Sequence, residues 1–155
     1  MRYYISDLHF YHESLNQRMD CRGFADASEM NAYMTDRWNR KVRPCDEVVI
    51  LGDLSVGKGP ATNAILEQLN GKLYLVTGNH DRFLEDKKFD RSRFLWIRPY
   101  AELYDHKRKV ILCHYPVSVI TASTGKRKTG RTAPICCTAM FIIPWTNSWW
   151  IGSRR

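Results

Sequence analysis

Four short clusters interrupt an otherwise ordinary chain: Asp7-Leu8-His9, Gly52-Asp53, Gly78-Asn79-His80-Asp81 and Cys113-His114. Their carboxylate, imidazole and carboxamide groups are donors that hard and borderline divalent cations accept. Two such ions about 3.5–4 Å apart can clamp a phosphate ester, polarise it and supply a hydroxide for attack. Asp-x-His suits that task, because residues i and i+2 of an extended chain point to one side, so Asp7 and His9 can reach one ion. Glycine before Asp53 and before Asn79 lets the backbone turn tightly and come close to the ions. His80 directly follows a candidate ligand, and an imidazole with an ordinary pKa of about 6.5 can protonate a leaving oxygen near neutral pH. Its other reading is a structural partner of Asp81. His12 lies one short loop past the first pair, either as a phosphate contact or as an ordinary loop histidine. His106, among Lys107, Arg108 and Lys109, reads as solvated.

Each cluster sits where a strand should stop. Arg2 to Ser6 is a β-branched and aromatic run ending at Asp7, Glu47 to Leu51 ends at Gly52-Asp53, and Lys72 to Thr77 ends at Gly78. Tyr100–Tyr104 and Lys109–Cys113 flank Asp105-His106-Lys107-Arg108 as a hairpin whose second strand ends at His114. Between the strands, Asp26-Ala27-Ser28 offers N-cap choices for a helix from about Ser28 to Lys41. Pro60 to Leu69 forms another, closed by Asn70-Gly71. In open α/β sheets, ligand sites collect beyond the carboxyl ends of strands, so the four clusters are expected to meet. Phe10–Ala25 and Phe83–Arg98 are expected to be loops that set specificity.

In those four motifs and their order, residues 1–117 resemble the calcineurin-like metallophosphoesterase family, about three quarters of the chain, with Cys113-His114-Tyr115-Pro116 as the last match. The resemblance implies an α/β fold, a four-layer α/β/β/α sandwich with its metals at the join of two sheets. It implies that Asp7 and His9 bind a first ion, that Asp53 bridges two, that Asn79 and His114 bind the second and that His80 protonates the leaving oxygen. The implied activity is hydrolysis of phosphomonoesters or phosphodiesters, nucleotides or nucleic acid among them, with two divalent ions that can be Mn, Fe or Zn.

One family element is missing. A Gly-His-x-His motif should follow the Cys-His strand and give one histidine to each ion, yet no histidine follows His114. The chain also changes character near Val117: residues 118–155 hold six basic residues, no Asp, Glu, Leu or His, and three of the five Trp. Regrouping the possible codons of Pro134–Ile143 one nucleotide earlier permits His-Leu-Leu-Tyr-Gly-His-Val-His-Asn, about where the motif belongs. The code fixes only two of these residues, the second Leu and the Val. The expectation is therefore a domain over residues 1–117, incomplete at its C-terminus, and a basic tail over 118–155 translated out of frame and packed as an irregular, aggregation-prone appendage. Activity should be impaired accordingly; an inactive remnant is one alternative, and a basic nucleic-acid-binding module is the other.

Composition limits the rest. The net charge of +8 comes mostly from the tail, since 18 basic residues face 16 acidic ones before it. Gly52–Gly59 fits all but the last position of a phosphate-binding P-loop, where Gly59 brings no hydroxyl for Mg²⁺ and Pro60 removes an amide donor. The five cysteines form no C-x-x-C pair, and the N-terminus lacks an apolar signal segment, so a reducing cytoplasm is expected.

Overall fold

Successive residues of three short strands are buried on both faces, which requires a layer on each side of the sheet. In the computed structural model, residues 1–115 are described in full and Ile135–Thr138 and Ile151–Ser153 as backbone strands. Strands β1 (Arg2–Ile5), β2 (Glu47–Leu51), β3 (Lys72–Val76) and β4 (Phe94–Arg98) run parallel in the order β4-β3-β2-β1. Tyr3, Ile5, Val48, Ile50, Leu73 and Leu75 turn to one face. There they pack with Met30, Met34 and Trp38 of helix α1 (Ala27–Lys41) and Ile65 and Leu66 of helix α2 (Gly59–Gln68). Tyr4, Val49, Leu51 and Val76 turn to the other face. They meet Ala101 of β5 (Tyr100–Asp105) and Val110 and Leu112 of β6 (Arg108–Cys113).

This gives α/β/β layers of the metallophosphoesterase type, with a hairpin as the second sheet. His106 and Lys107 at its tip both have positive φ (47° and 65°), as a two-residue hairpin turn demands. Asp26 caps α1 by accepting from the Glu29 N–H at 2.8 Å, and Glu29 in turn accepts from the Ala25 N–H at 2.7 Å. Among the described residues no helix packs on the hairpin's side of the core, and the expected fourth layer is not among them. No described helix is long and apolar enough to cross a membrane.

One expectation changes. Phe83–Arg98 is not one loop: short 3-10 turns at Arg82–Glu85 and Arg91–Arg93 lead into β4, which adds to the sheet beside β3. Its Phe94-Leu95-Trp96-Ile97 run has the β-branched and aromatic character that an edge strand needs. Two short backbone strands are also described in the segment after Val117. β7 (Ile135–Thr138) pairs parallel to β6, and β8 (Ile151–Ser153) pairs antiparallel to β1. Unpaired N–H and C=O groups on the outer edges of β1 and β6 are a standing template for such pairing. The basic and Trp side chains of the tail lie outside the described residues.

Candidate metal centre

The loops that leave β1 and β2 are zipped together past the strands. Asp7 N–H donates to Gly52 C=O at 3.1 Å, His9 N–H to Asp53 C=O at 2.9 Å and Phe10 N–H to Leu54 C=O at 2.9 Å. Holding this path bends the backbone into the left-handed region at Asp7 (φ 55°), His9 (52°), Asp53 (55°) and Gly52 (89°). Non-glycine residues pay steric strain there, and three of them cluster at the sheet's carboxyl end. The two glycines make room: a Cβ on Gly52 would overlap the His114 ring, 2.7 Å from its Cγ, and one on Gly78 would collide with the Asp53 side chain.

The donor groups converge as the strand ends predict. One oxygen from each of Asp7 and Asp53 and one ring nitrogen of His114 lie within 4.8 Å of one another. His9 Nε2 is 3.8 Å from Asp7 Oδ1 and 3.6 Å from Asp53 Oδ2, and His114 Nε2 is 3.6 Å from the same Asp53 oxygen. Asn79 Oδ1 sits 3.0 Å from His114 Nε2. One Asp53 oxygen is therefore shared by the two imidazoles, with Asp7 beside His9 and Asn79 beside His114. The exposed His80 ring lies at the rim, 5.2 Å from the His9 ring, while its N–H donates to Asp53 Oδ1 at 2.9 Å.

The protonation logic fits a cation. Leu51 C=O can only accept, so His114 Nδ1, 2.8 Å away, carries a proton and donates. In the neutral ring Nε2 then turns a lone pair towards Asn79 and Asp53, an arrangement that a bound cation would satisfy. Asp7 Oδ2 and His9 Nδ1 are buried with no hydrogen-bond partner among the described residues. Such buried, unpaired groups are costly unless a further partner completes them.

Three supporting residues escaped the sequence reading. Asp81 is a partner of the backbone and not of the His80 ring: its carboxylate accepts from Gly78 N–H (2.8 Å), Leu54 N–H (2.8 Å) and Asp53 N–H (3.1 Å). Burial pushes its carboxyl above the usual range, and the Gly78 and Leu54 amides pull against that. Arg22 has a side chain only 1% exposed, and it donates to Leu8 C=O at 3.0 Å and Asp7 C=O at 3.4 Å. It thus backs the strained Asp7–His9 turn from behind. Burial lowers its pKa against the opposing pull of Asp20 and Asp7. Asn31 of α1 accepts from Tyr11 N–H at 3.0 Å and fixes the same loop. Neither Arg22 nor Asn31 carries a local motif; Asp81 stood in the third cluster only as the partner in the other reading of His80.

The P-loop resemblance of Gly52–Gly59 has a different use. Asp81 takes the Asp53 and Leu54 amides, and Asp86 takes the Gly59 N–H at 2.9 Å, so the protein's own carboxylates occupy donors that a phosphate would need.

A parallel sheet with convergent metal-type donors at its carboxyl ends defines an α/β protein of metallophosphoesterase type. The chain belongs to the calcineurin-like phosphoesterase family, whose sequence profile matches residues 3–142. It is 42% identical over 85 residues to the uncharacterized protein MJ1445 of Methanocaldococcus jannaschii, covering 54% of this chain and 48% of that protein. The match thus spans about half the length of that relative. A solved structure, the protein of unknown function AQ665 from Aquifex aeolicus, superposes with a TM-score of 0.59 at 29% identity, covering 78% of this chain and 63% of that one.

Proposed function

We propose that this chain is a metal-dependent hydrolase of phosphomonoesters or phosphodiesters built around a dinuclear centre, impaired by the two histidines it lacks. The observation that carries the reading is the buried Asp53, one oxygen of which lies 3.6 Å from both His9 Nε2 and His114 Nε2, with Asp7 in the same cluster. Asp7, His9 and Asp53 would hold one divalent ion, and Asp53, Asn79 and His114 a second, each short of one protein donor. Mn, Fe and Zn all accept this donor mixture. Bound there, the ions would supply Lewis-acid polarisation of the phosphoryl group and activation of the attacking water.

The chain's own groups orient and finish the reaction. Asp81 and Arg22 hold the turns that aim Asp53 and Asp7, and the His114 bond to Leu51 fixes which ring nitrogen faces the centre. His80 gives a proton to the leaving oxygen as its bond to phosphorus breaks; its exposed ring leaves room for a substrate, nucleotide or nucleic acid among them. The missing Gly-His-x-His is attributed to a shift of reading frame from about Ser118, and absence of that motif from the neighbouring frame of the coding DNA would sink this attribution.

The test is Mn²⁺-dependent hydrolysis of an aryl phosphodiester by the chain as it stands and by a frame-restored version. Restoration should raise turnover. His80→Ala should keep metal content and lower turnover by roughly 10²–10⁴, most on the poorer leaving group. Loss of the ions from His80→Ala, or equal harm to good and poor leaving groups, would overturn its role.

A further inference from the structure

Three of the chain's five histidines gather at the rim of the centre, and the assigned roles use two of them. The His12 ring stands edge-on to His9 at 5.4 Å and to His80 at 6.0 Å between centroids. Its protonation is fixed from behind. Leu15 N–H points at His12 Nδ1 from 3.2 Å, and an amide can only donate, so that nitrogen must be bare. Ser14 Oγ is also 3.2 Å from it and can donate as well. The neutral ring therefore carries its proton on Nε2. Such a histidine cannot offer a ligand lone pair without a change of tautomer, because Nδ1 is engaged and Nε2 is protonated. Beside a set of carboxylates and ligand lone pairs, it is a donor, and it is only partly buried.

We propose that His12 is a substrate-binding residue whose Nε2–H donates to a non-bridging phosphoryl oxygen, while His80 serves the leaving oxygen. The assignment rests on the phosphoesterase reading of the same centre. It also gives the Phe10–Ala25 segment a chemical purpose. The π-helical turn Leu15–Met19 begins at the amide that sets the His12 tautomer, so the shape of this segment aims a phosphate donor into the site.

Two substitutions separate binding from structure. His12→Asn can keep an acceptor where Nδ1 stood, preserving the Leu15 contact, but has nothing at the Nε2 position. His12→Gln places an amide N–H near Nε2 and gives up the acceptor. With Mn²⁺ present, inorganic phosphate affinity is measured by calorimetry, together with metal content and KM for an aryl phosphate. His12→Asn should retain its metal and bind phosphate about tenfold or more weakly, the effect expected of one charge-assisted hydrogen bond. His12→Gln should recover part of that loss. If His12→Asn binds phosphate like the parent, or if His12→Gln is the weaker of the two, His12 only shapes its loop and the proposal fails. Loss of metal from His12→Asn would likewise overturn it, by making His12 part of the metal shell. A parent that binds phosphate but hydrolyses nothing would defeat the hydrolytic reading, while the phosphate comparison would still judge His12. A parent that takes up Mn²⁺ yet binds no phosphate defeats both.

Discussion

At the amino end of the parallel sheet, charges meet opposite charges. The Met1 ammonium sits on Asp46, Arg2 on Glu47 at 2.7 Å, and Tyr4 O–H donates to Asp105 at 2.8 Å, tying the two sheets together. A few residues along the same strands, at the carboxyl end, acceptors meet acceptors: Asp7, Asp53, Asn79 and the bare nitrogen of His114, on backbone bent into the left-handed region. One end of the sheet spends its polar groups on stability, and the other holds them in unsatisfied proximity for a cation to resolve.

The largest effects should come from crossing the two ends. Asp53→Asn should weaken Mn²⁺ uptake by more than about a hundredfold, beyond the usual cost of an outer-shell change. The same variant without metal should melt no lower than the parent, because one negative charge has left a crowd of acceptors. Calorimetric titration and thermal scans read the two quantities, and a clear fall in metal-free Tm would break the contrast. Asp46→Ala should do the reverse, lowering Tm by roughly 2–8 °C with metal affinity unchanged. Arg22→Lys is expected to weaken uptake by about tenfold, since a single ammonium replaces a planar fork across the Leu8 and Asp7 carbonyls. Titrated stoichiometry should show the weakened ion to be the one on the Asp7 side.

The smallest effect is one of pH. The Met1 ammonium and the Arg43 N–H hold the Asp46 carboxyl below its ordinary value of 3.8. A carboxyl depressed in the folded state stabilises it fully above that ordinary value, and the benefit fades as pH falls through the folded pKa. The stability gap between parent and Asp46→Ala should therefore be flat above the carboxylate range and close below it. A gap that persists undiminished in acid would show that Asp46 acts through packing.

Much of this contrast was legible in the chain. Buried strands that break off at Asp7, Gly52 and Gly78 announce where chemistry gathers, and the two-sided apolar runs announce a layered core. Arg22 was illegible because nothing local marks a guanidinium for burial; only tertiary packing removes it from water. β4 had a signal in the apolar run Phe94–Ile97, which the loop reading of Phe83–Arg98 passed over. β7 and β8 had none, since an edge recruits whatever extended backbone reaches it.

That recruitment has a consequence for biogenesis. Arg2 lies opposite Ser153, a residue far from it in sequence. During synthesis the outer edge of β1 waits, unprotected, until β8 has been made. A contact of such sequence separation forms late and slows completion of the fold. Until then the nascent chain offers its neighbours on the polysome an open strand, and a chaperone that shields it would decide the yield of protein more than the final stability does.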